Sequence, residues 1–168
     1  TKAGNVVLPM LFRLGEPRGR PDRPLPDFIK KNSITQVEKG EDVPLLTSDV
    51  EAPVVASLGS GAAAIGHLNV NPDVDGGIRT EPLVLAHFNE IYPALSLMIA
   101  AKSLNLGVAD IKVKLGDSVR LGSLKIGTDP VMQMNTFFYK DRDGKPAFQV
   151  DSFFDVTSGK IPQDKYKD

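Results

Sequence analysis

The run from Tyr92 to Leu106 is the clearest helix in this chain, and it constrains everything around it. Pro93 suits a first helical position, where its missing N–H is not needed, and Gly107 suits the residue past the end. Leu95, Met98 and Ile99 form one apolar face, and Leu97, Ala101 and Leu104 form another. A helix that is apolar on both sides is expected to be largely buried, so other elements must cover it. The sequence offers mostly strands for that purpose.

Asn5 to Phe12 reads as a buried strand, with Pro9 at an edge, a bulge or the strand's end because proline cannot donate to the ladder. Residues 13 to 46 are the least regular stretch, broken by Pro17, Pro21, Pro24, Pro26 and Pro44, and mobility is expected around Gly15 to Pro26. Thr47 or Ser48 can cap a helix reaching about Leu58, with Asp49 and Glu51 in its first turn. Ala64 to Val70 reads as a strand and Ile78 to Ala86 as its return. Asn71 to Gly77 lies between them as a turn, so the unit is expected to be a hairpin. After Gly107 come short strands at Ile111 to Leu115, Val119 to Leu121 and Leu124 to Ile126. Met132 to Tyr139 is expected to pair with Pro146 to Val150 across an Asp143-Gly144 turn. Ser152 can cap a short helix through Val156, ended by Gly159, and the charged tail from Gln163 is expected to fray.

The whole chain, 168 residues, suits one domain and needs no disulfide or metal to hold a core. Cysteine is absent, which excludes a disulfide framework and thiolate zinc. The net charge of −1 supplies no field for nucleic acid. The basic cluster of Arg13, Arg18, Arg20, Arg23, Lys30 and Lys31 has only Phe28 near it for base stacking, so it reads as a solvated loop. No run approaches the ~20 apolar residues of a membrane helix. The chain opens on Thr1 almost directly in a strand, which reads as a piece cut from a longer chain.

Several motifs tempt a chemical reading. Asn71, Asp73 and Asp75 with Gly76 match the first half of a calcium loop, but the twelfth position, where a bidentate Glu belongs, is Pro82. Asp141 and Asp143 repeat the pattern and read better as a hairpin turn. Gly59-Ser60-Gly61 resembles a dinucleotide fingerprint, yet the expected order there is helix before and strand after, the reverse of the requirement. His67 and His87 sit on the two arms of the expected hairpin and could face each other. Two imidazoles alone make a poor zinc site, and a half-buried histidine is the plainer reading. No Gly-x-Ser-x-Gly elbow or other catalytic constellation is present, so no catalytic residue, metal or cofactor is expected.

From Gly66 to Pro162 the chain also shows motifs in an ordered series. They are Gly66-His67-x-Asn69-Val70, Pro72-Asp73-x-Asp75-Gly76, Arg79-x-x-Pro82-Leu83, Tyr92-Pro93-x-Leu95 and Ser152-Phe153-x-Asp155-Val156, closing with Gly159-x-Ile161-Pro162. This series resembles the second family of CHASE-type sensory domains (cyclase/histidine-kinase-associated sensing extracellular), and Asn5 to Phe12 resembles that family's first strand. Glu81 departs from the family pattern, and the basic loop at 13 to 46 has no clear counterpart in it. The resemblance implies an extracytoplasmic input domain, periplasmic or extracellular, of a membrane-anchored receptor driving a histidine kinase, nucleotide cyclase or Ser/Thr kinase. It carries over no ligand and no catalytic residue.

The expected fold is α+β, a single domain with a mixed, largely antiparallel sheet flanked by a few helices and built around the 64–70/78–86 hairpin. If strand 5–12, helix 48–58 and strand 64–70 form one crossover, it is parallel and right-handed. The expected function is sensing of a small-molecule or environmental signal, with a structural or dimerisation module as the alternative and a homodimer among the expected partners. A ligand site is expected at Asn69, Asp73, Asp75, Arg79 and Tyr92, where polar groups gather at one end of the hairpin.

Overall fold

The computed structural model describes residues 4–19, 24–40 and 43–166, and divides into two units, Thr1–Thr136 and Phe137–Asp168. The expected mobile stretch around Gly15 to Pro26 lies partly outside the described residues.

The first unit holds eleven strands among the described residues: β1 (Val7–Leu14), β2 (Gln36–Glu38), β3 (Leu45–Ala52), β4 (Ala64–His67), β5 (Thr80–Pro82), β6 (Val84–His87), β7 (Glu90–Pro93), β8 (Ile111–Lys114), β9 (Ser118–Leu121), β10 (Leu124–Gly127) and β11 (Gln133–Asn135). Its helices are α1 (Asp27–Lys30), α2 (Ala56–Gly59) and α3 (Leu95–Ser103). One sheet runs β4-β1-β3-β6-β7, a second runs β10-β9-β8-β2, and β11 pairs with β5. Parallel pairs β1/β4, β3/β6 and β2/β8 alternate with antiparallel ones, so the fold is α+β with mixed sheets.

The burial pattern explains the layering. Both β4 and β6 are buried at all four positions, as strands covered on both faces must be. Ala64 and Val84 join Leu97, Met98 and Ala101 of α3 and Ile111, Val113, Val119 and Leu121 of the second sheet in one core. Ile65 and Leu85, one residue along and so on the opposite face, join Met10, Phe12, Ile29 of α1 and Tyr92 in the other. The expected proximity of α3 to the sheet is real. Gly66 is the contact point: a Cβ there would lie 2.6 Å from both the Cα and N of Leu95.

Pro9 sits inside β1, but only where β1 has one neighbour. Residues 7–10 pair with β4, while pairing with β3 begins at Leu11. The carbonyls of Val6 and Met10 face β4, so the position of the missing Pro9 N–H faces the unpaired side.

Four expectations are corrected. The helix from Thr47 or Ser48 to Leu58 is instead β3 followed by one turn of α2. Capping cues at Asp49 and Glu51 lose to β-branched Thr47 and Val50 once β1 and β6 flank the segment. The 64–70/78–86 hairpin does not form: β4 pairs with β1, and the returning chain gives β5 to β11 and β6 to β3 and β7. Turn residues fix where the chain reverses, and burial fixes what it then pairs with. Tyr92 and Pro93 end β7, so the helix starts at Leu95, and its end is set by Asn105 at φ 57 rather than by Gly107. The helix also buries one face only, Leu97, Met98 and Ala101, leaving Ile99 and Leu104 about half exposed.

In the second unit, α4 (Phe153–Thr157) starts after Ser152 and stops before Gly159 at φ +75, close to the expected bounds, but the Ser152 side chain makes no capping bond. Asp143 and Gly144 both have positive φ and turn the chain between the bridged pair Arg142 and Lys145. The flanking strands are not formed: β11 stops at Asn135, and residues 146–150 are irregular. The tail winds into a 3₁₀ turn, Gln163–Tyr166, with Lys165 paired to Asp151 at 2.8 Å.

Candidate functional site

The five residues expected at a ligand site divide into three places. Asp73, Asp75 and Arg79 are brought together. The Arg79 guanidinium reaches Asp73 Oδ2 at 2.6 Å and grips both carboxylate oxygens of Asp75 at 2.9 and 2.8 Å. The loop is tied from within, since the Gly77 N–H donates to Asp75 Oδ1 and the Asp73 N–H to the Gly77 carbonyl. Gly77 leaves the room this needs, because a Cβ there would stand 2.7 Å from Arg79 Nη1. The guanidinium beside it lowers the Asp75 carboxyl to about 2, and the two acids raise Arg79 in turn. A cation of the chain's own thus fills the acidic turn that resembles a calcium loop. Among the described residues no group of three or more His, Asp or Glu is placed to hold a metal.

Asn69 serves the fold. β4 ends at His67, while β1 runs on, so the N–H and C=O of Phe12 would be left without a ladder. The Asn69 side chain takes both: its Oδ1 accepts from Phe12 N at 3.0 Å and its Nδ2 donates to Phe12 O at 2.6 Å. Asn69→Ala should leave this buried peptide unpaired and cost about 1–2 kcal/mol in a urea titration, with β1 amide exchange accelerating around Phe12. An unchanged unfolding midpoint would show that the pair contributes nothing.

Tyr92 belongs to a third place, the buried end of β6 and β7. Its hydroxyl donates to Glu90 Oε2 at 2.6 Å, and burial, that hydrogen bond and the Glu90 charge all raise its pKa. His87 lies beside it, with Nδ1 2.8 Å from Thr47 Oγ1 and its ring 5.1 Å from the ring of Phe12. Burial lowers His87, opposed by the charges of Glu90 and Asp49. The two-residue turn between β6 and β7 puts Phe88 at φ 52, a strained conformation for an aromatic residue, with its ring edge-on to His87 at 4.8 Å. A cavity of about 530 Å³ opens here, bordered by Leu25, Lys30, His87, Phe88 and Glu90. Sequence reasoning did not find Glu90, three residues from His87 across the turn, or Thr47, which only the β3/β6 register joins to His87. His67 and His87 do not face each other; His67 lies in β4 with neither ring nitrogen partnered among the described residues.

Gly59 to Gly61 ends α2 and leads into β4, the reverse of a dinucleotide-binding order. Among the described residues no helix is long and apolar enough to cross a membrane. What remains is an α+β module in which Asn69 is tied to its own backbone and Arg79 to its own counter-ions. The chain matches the CHASE2 domain family over residues 1–168 and belongs to it. CHASE2 domains are extracellular, non-catalytic sensory domains of signalling receptors. Comparison with curated proteins and with solved structures gives no match.

Proposed function

We propose that this chain is the extracytoplasmic input domain of a bacterial membrane-anchored receptor, with a histidine kinase, nucleotide cyclase or Ser/Thr kinase as its output. The observation that carries this reading is the family match along the whole chain. The mechanism is a population shift, in which a signal binds one packing of sheet and helix better than another. The contact between Gly66 and the start of α3 is one such packing, with no room for a side chain. We place ligand contact at the 71–79 turn, where Arg79 can exchange the carboxylates of Asp73 and Asp75 for those of a ligand. Asn69 and Tyr92 serve the framework elsewhere, at Phe12 and at the end of β6 and β7. The test screens small metabolites by thermal shift and repeats the hits on Arg79→Ala. Stabilisation should disappear in the variant; undiminished stabilisation sinks the placement. A phosphatase fusion to the full-length receptor tests the address, and activity only in a cytoplasmic reporter would overturn it.

A dimerisation role is the second reading, and one observation favours it. Within Phe137–Asp168, Phe137, Phe138, Tyr139, Phe148, Phe153 and Phe154 are all 66 to 87 % exposed. Six aromatic side chains at that exposure present roughly 900 Å², about what each partner buries in a standard interface. The occupant we assign is a second copy of the chain. Sedimentation should show a dimer that Phe153→Ser with Phe154→Ser dissociates. A monomer at all concentrations would remove this reading.

A further inference from the structure

The solvent face of the second sheet carries cations in register. Lys125 of β10 stands opposite Arg120 of β9, Arg120 opposite Lys112 of β8, and Lys112 opposite Gln36 of β2. Register partners project from the same face, and all four residues are exposed. Lys114, two residues along β8, shares that face. The other face of these strands is fixed, because Ile111, Val113, Val119 and Leu121 are buried in the core. The register cannot slip without exposing them, so the cations are held one strand apart.

Nothing in the fold requires this arrangement. Like charges directly opposite one another in a sheet repel, and uncharged residues on the same face would avoid it. Lys125 is paired with Asp117 at 3.2 Å, but Lys112 and Arg120 make no ion pair among the described residues. The row borders a concavity of about 620 Å³, where Glu38, opposite Lys114, and Asp117 offset only part of the charge of Lys112, Lys114, Arg120 and Lys125. Unbalanced, rigidly spaced charge at the mouth of a concavity is a local cost that a ligand of opposite sign relieves.

We propose that this face is a binding site for a small solute carrying two or more oxyanion groups, phosphate or carboxylate. Strands lie about 4.8 Å apart, so the three cations span roughly 10 Å. That matches a diphosphate or a tricarboxylate, with Arg120 at the centre offering the planar fork that suits an oxyanion. The site is made of other residues than the 71–79 turn and goes beyond that placement by adding a second point of contact, whose signalling role rests on the sensory reading. The two fail separately: absent binding removes the site, and binding that leaves receptor output unchanged removes the sensing role.

The experiment is calorimetric titration of the chain with inorganic pyrophosphate and with citrate, at low salt and at physiological salt. Binding of at least one is expected, weakening as salt screens the row. Arg120→Gln and Lys112→Gln should each lower affinity at least tenfold, while Lys102→Gln, at an exposed position of α3, leaves it unchanged. A melting temperature without anion that is equal to or above the parent's shows that lost binding is not misfolding, since these substitutions relieve repulsion. Vesicles of phosphatidylglycerol against phosphatidylcholine distinguish the source. Capture by the anionic vesicles alone, lost in Arg120→Gln, assigns the oxyanion to a lipid headgroup. No binding in any arm, or binding indifferent to Arg120→Gln and Lys112→Gln, overturns the proposal.

Discussion

Gly66→Ala should destabilise this protein strongly for a methyl-sized change, because the position lies in the core. The added Cβ would lie 2.6 Å from the Cα and N of Leu95 and 2.8 Å from the carbonyl carbon of Ala94. All three are backbone atoms, so no rotamer change relieves the clash. α3 would have to withdraw from β4, opening the core that Leu97, Met98 and Ala101 share with Val84, Ile111 and Val119. Overpacking commonly costs 1–3 kcal/mol, and a rigid backbone contact sits at or above the top of that range, so about 3 kcal/mol or more is expected. For a chain of this size that is roughly 6–12 °C in melting temperature. Gly127→Ala is the control: nothing lies within 4 Å of the place its Cβ would occupy, and the change should stay within about 0.5 kcal/mol. Similar losses at the two positions would show that close approach at Gly66 is not what matters.

Lowering the pH from 7 to 5 should cost about 2 kcal/mol through His67 alone. The ring is 2 % exposed, without a partner for either nitrogen among the described residues, and burial pushes its pKa from 6.5 down to about 3. Between those values the unfolded chain holds a proton that the folded chain refuses. Stability therefore rises with pH across this window and is lost as pH falls below 6.5, by about 1.4 kcal/mol per unit. His87 is shifted in the same direction, chiefly by burial, and adds to the trend. The acids act elsewhere: the Asp75 carboxyl is lowered to about 2, so its contribution is lost only under stronger acid. Urea midpoints at pH 7, 6 and 5 measure the effect. His67→Leu removes an unpaired polar group from an apolar setting and should flatten the slope by nearly one proton. A parent-like slope in that variant would assign the acid sensitivity to another group.

The position of α3 and of the short strands after Gly107 was legible because each is bounded by its own breakers and carries its own period. The CHASE2 membership was legible too, since the motifs from Gly66 to Pro162 keep their order along the chain. The candidate site was legible only in its most local part. Asp73, Asp75 and Arg79 meet because they lie within seven residues of one turn. Asn69 was expected at a ligand site, and its side chain instead pairs with the backbone of Phe12, 57 residues away. Tyr92 meets Glu90 locally, yet its neighbour His87 is joined to Thr47 by the parallel pairing of β3 and β6.

Where the chain turns, which segments are apolar on one face or two, and which family it belongs to all follow from the residues alone. Those properties depend on φ preferences and on periodicity within a few residues. Three others emerge only once the chain is folded. Residues 45–52 become a strand, β4 pairs with β1 instead of with its own return, and Lys112, Arg120 and Lys125 stand in one row. Each of those depends on which strand is adjacent, and adjacency is set by burying apolar faces against partners distant in the chain. A segment's own residues state that it needs cover, and do not state what provides it.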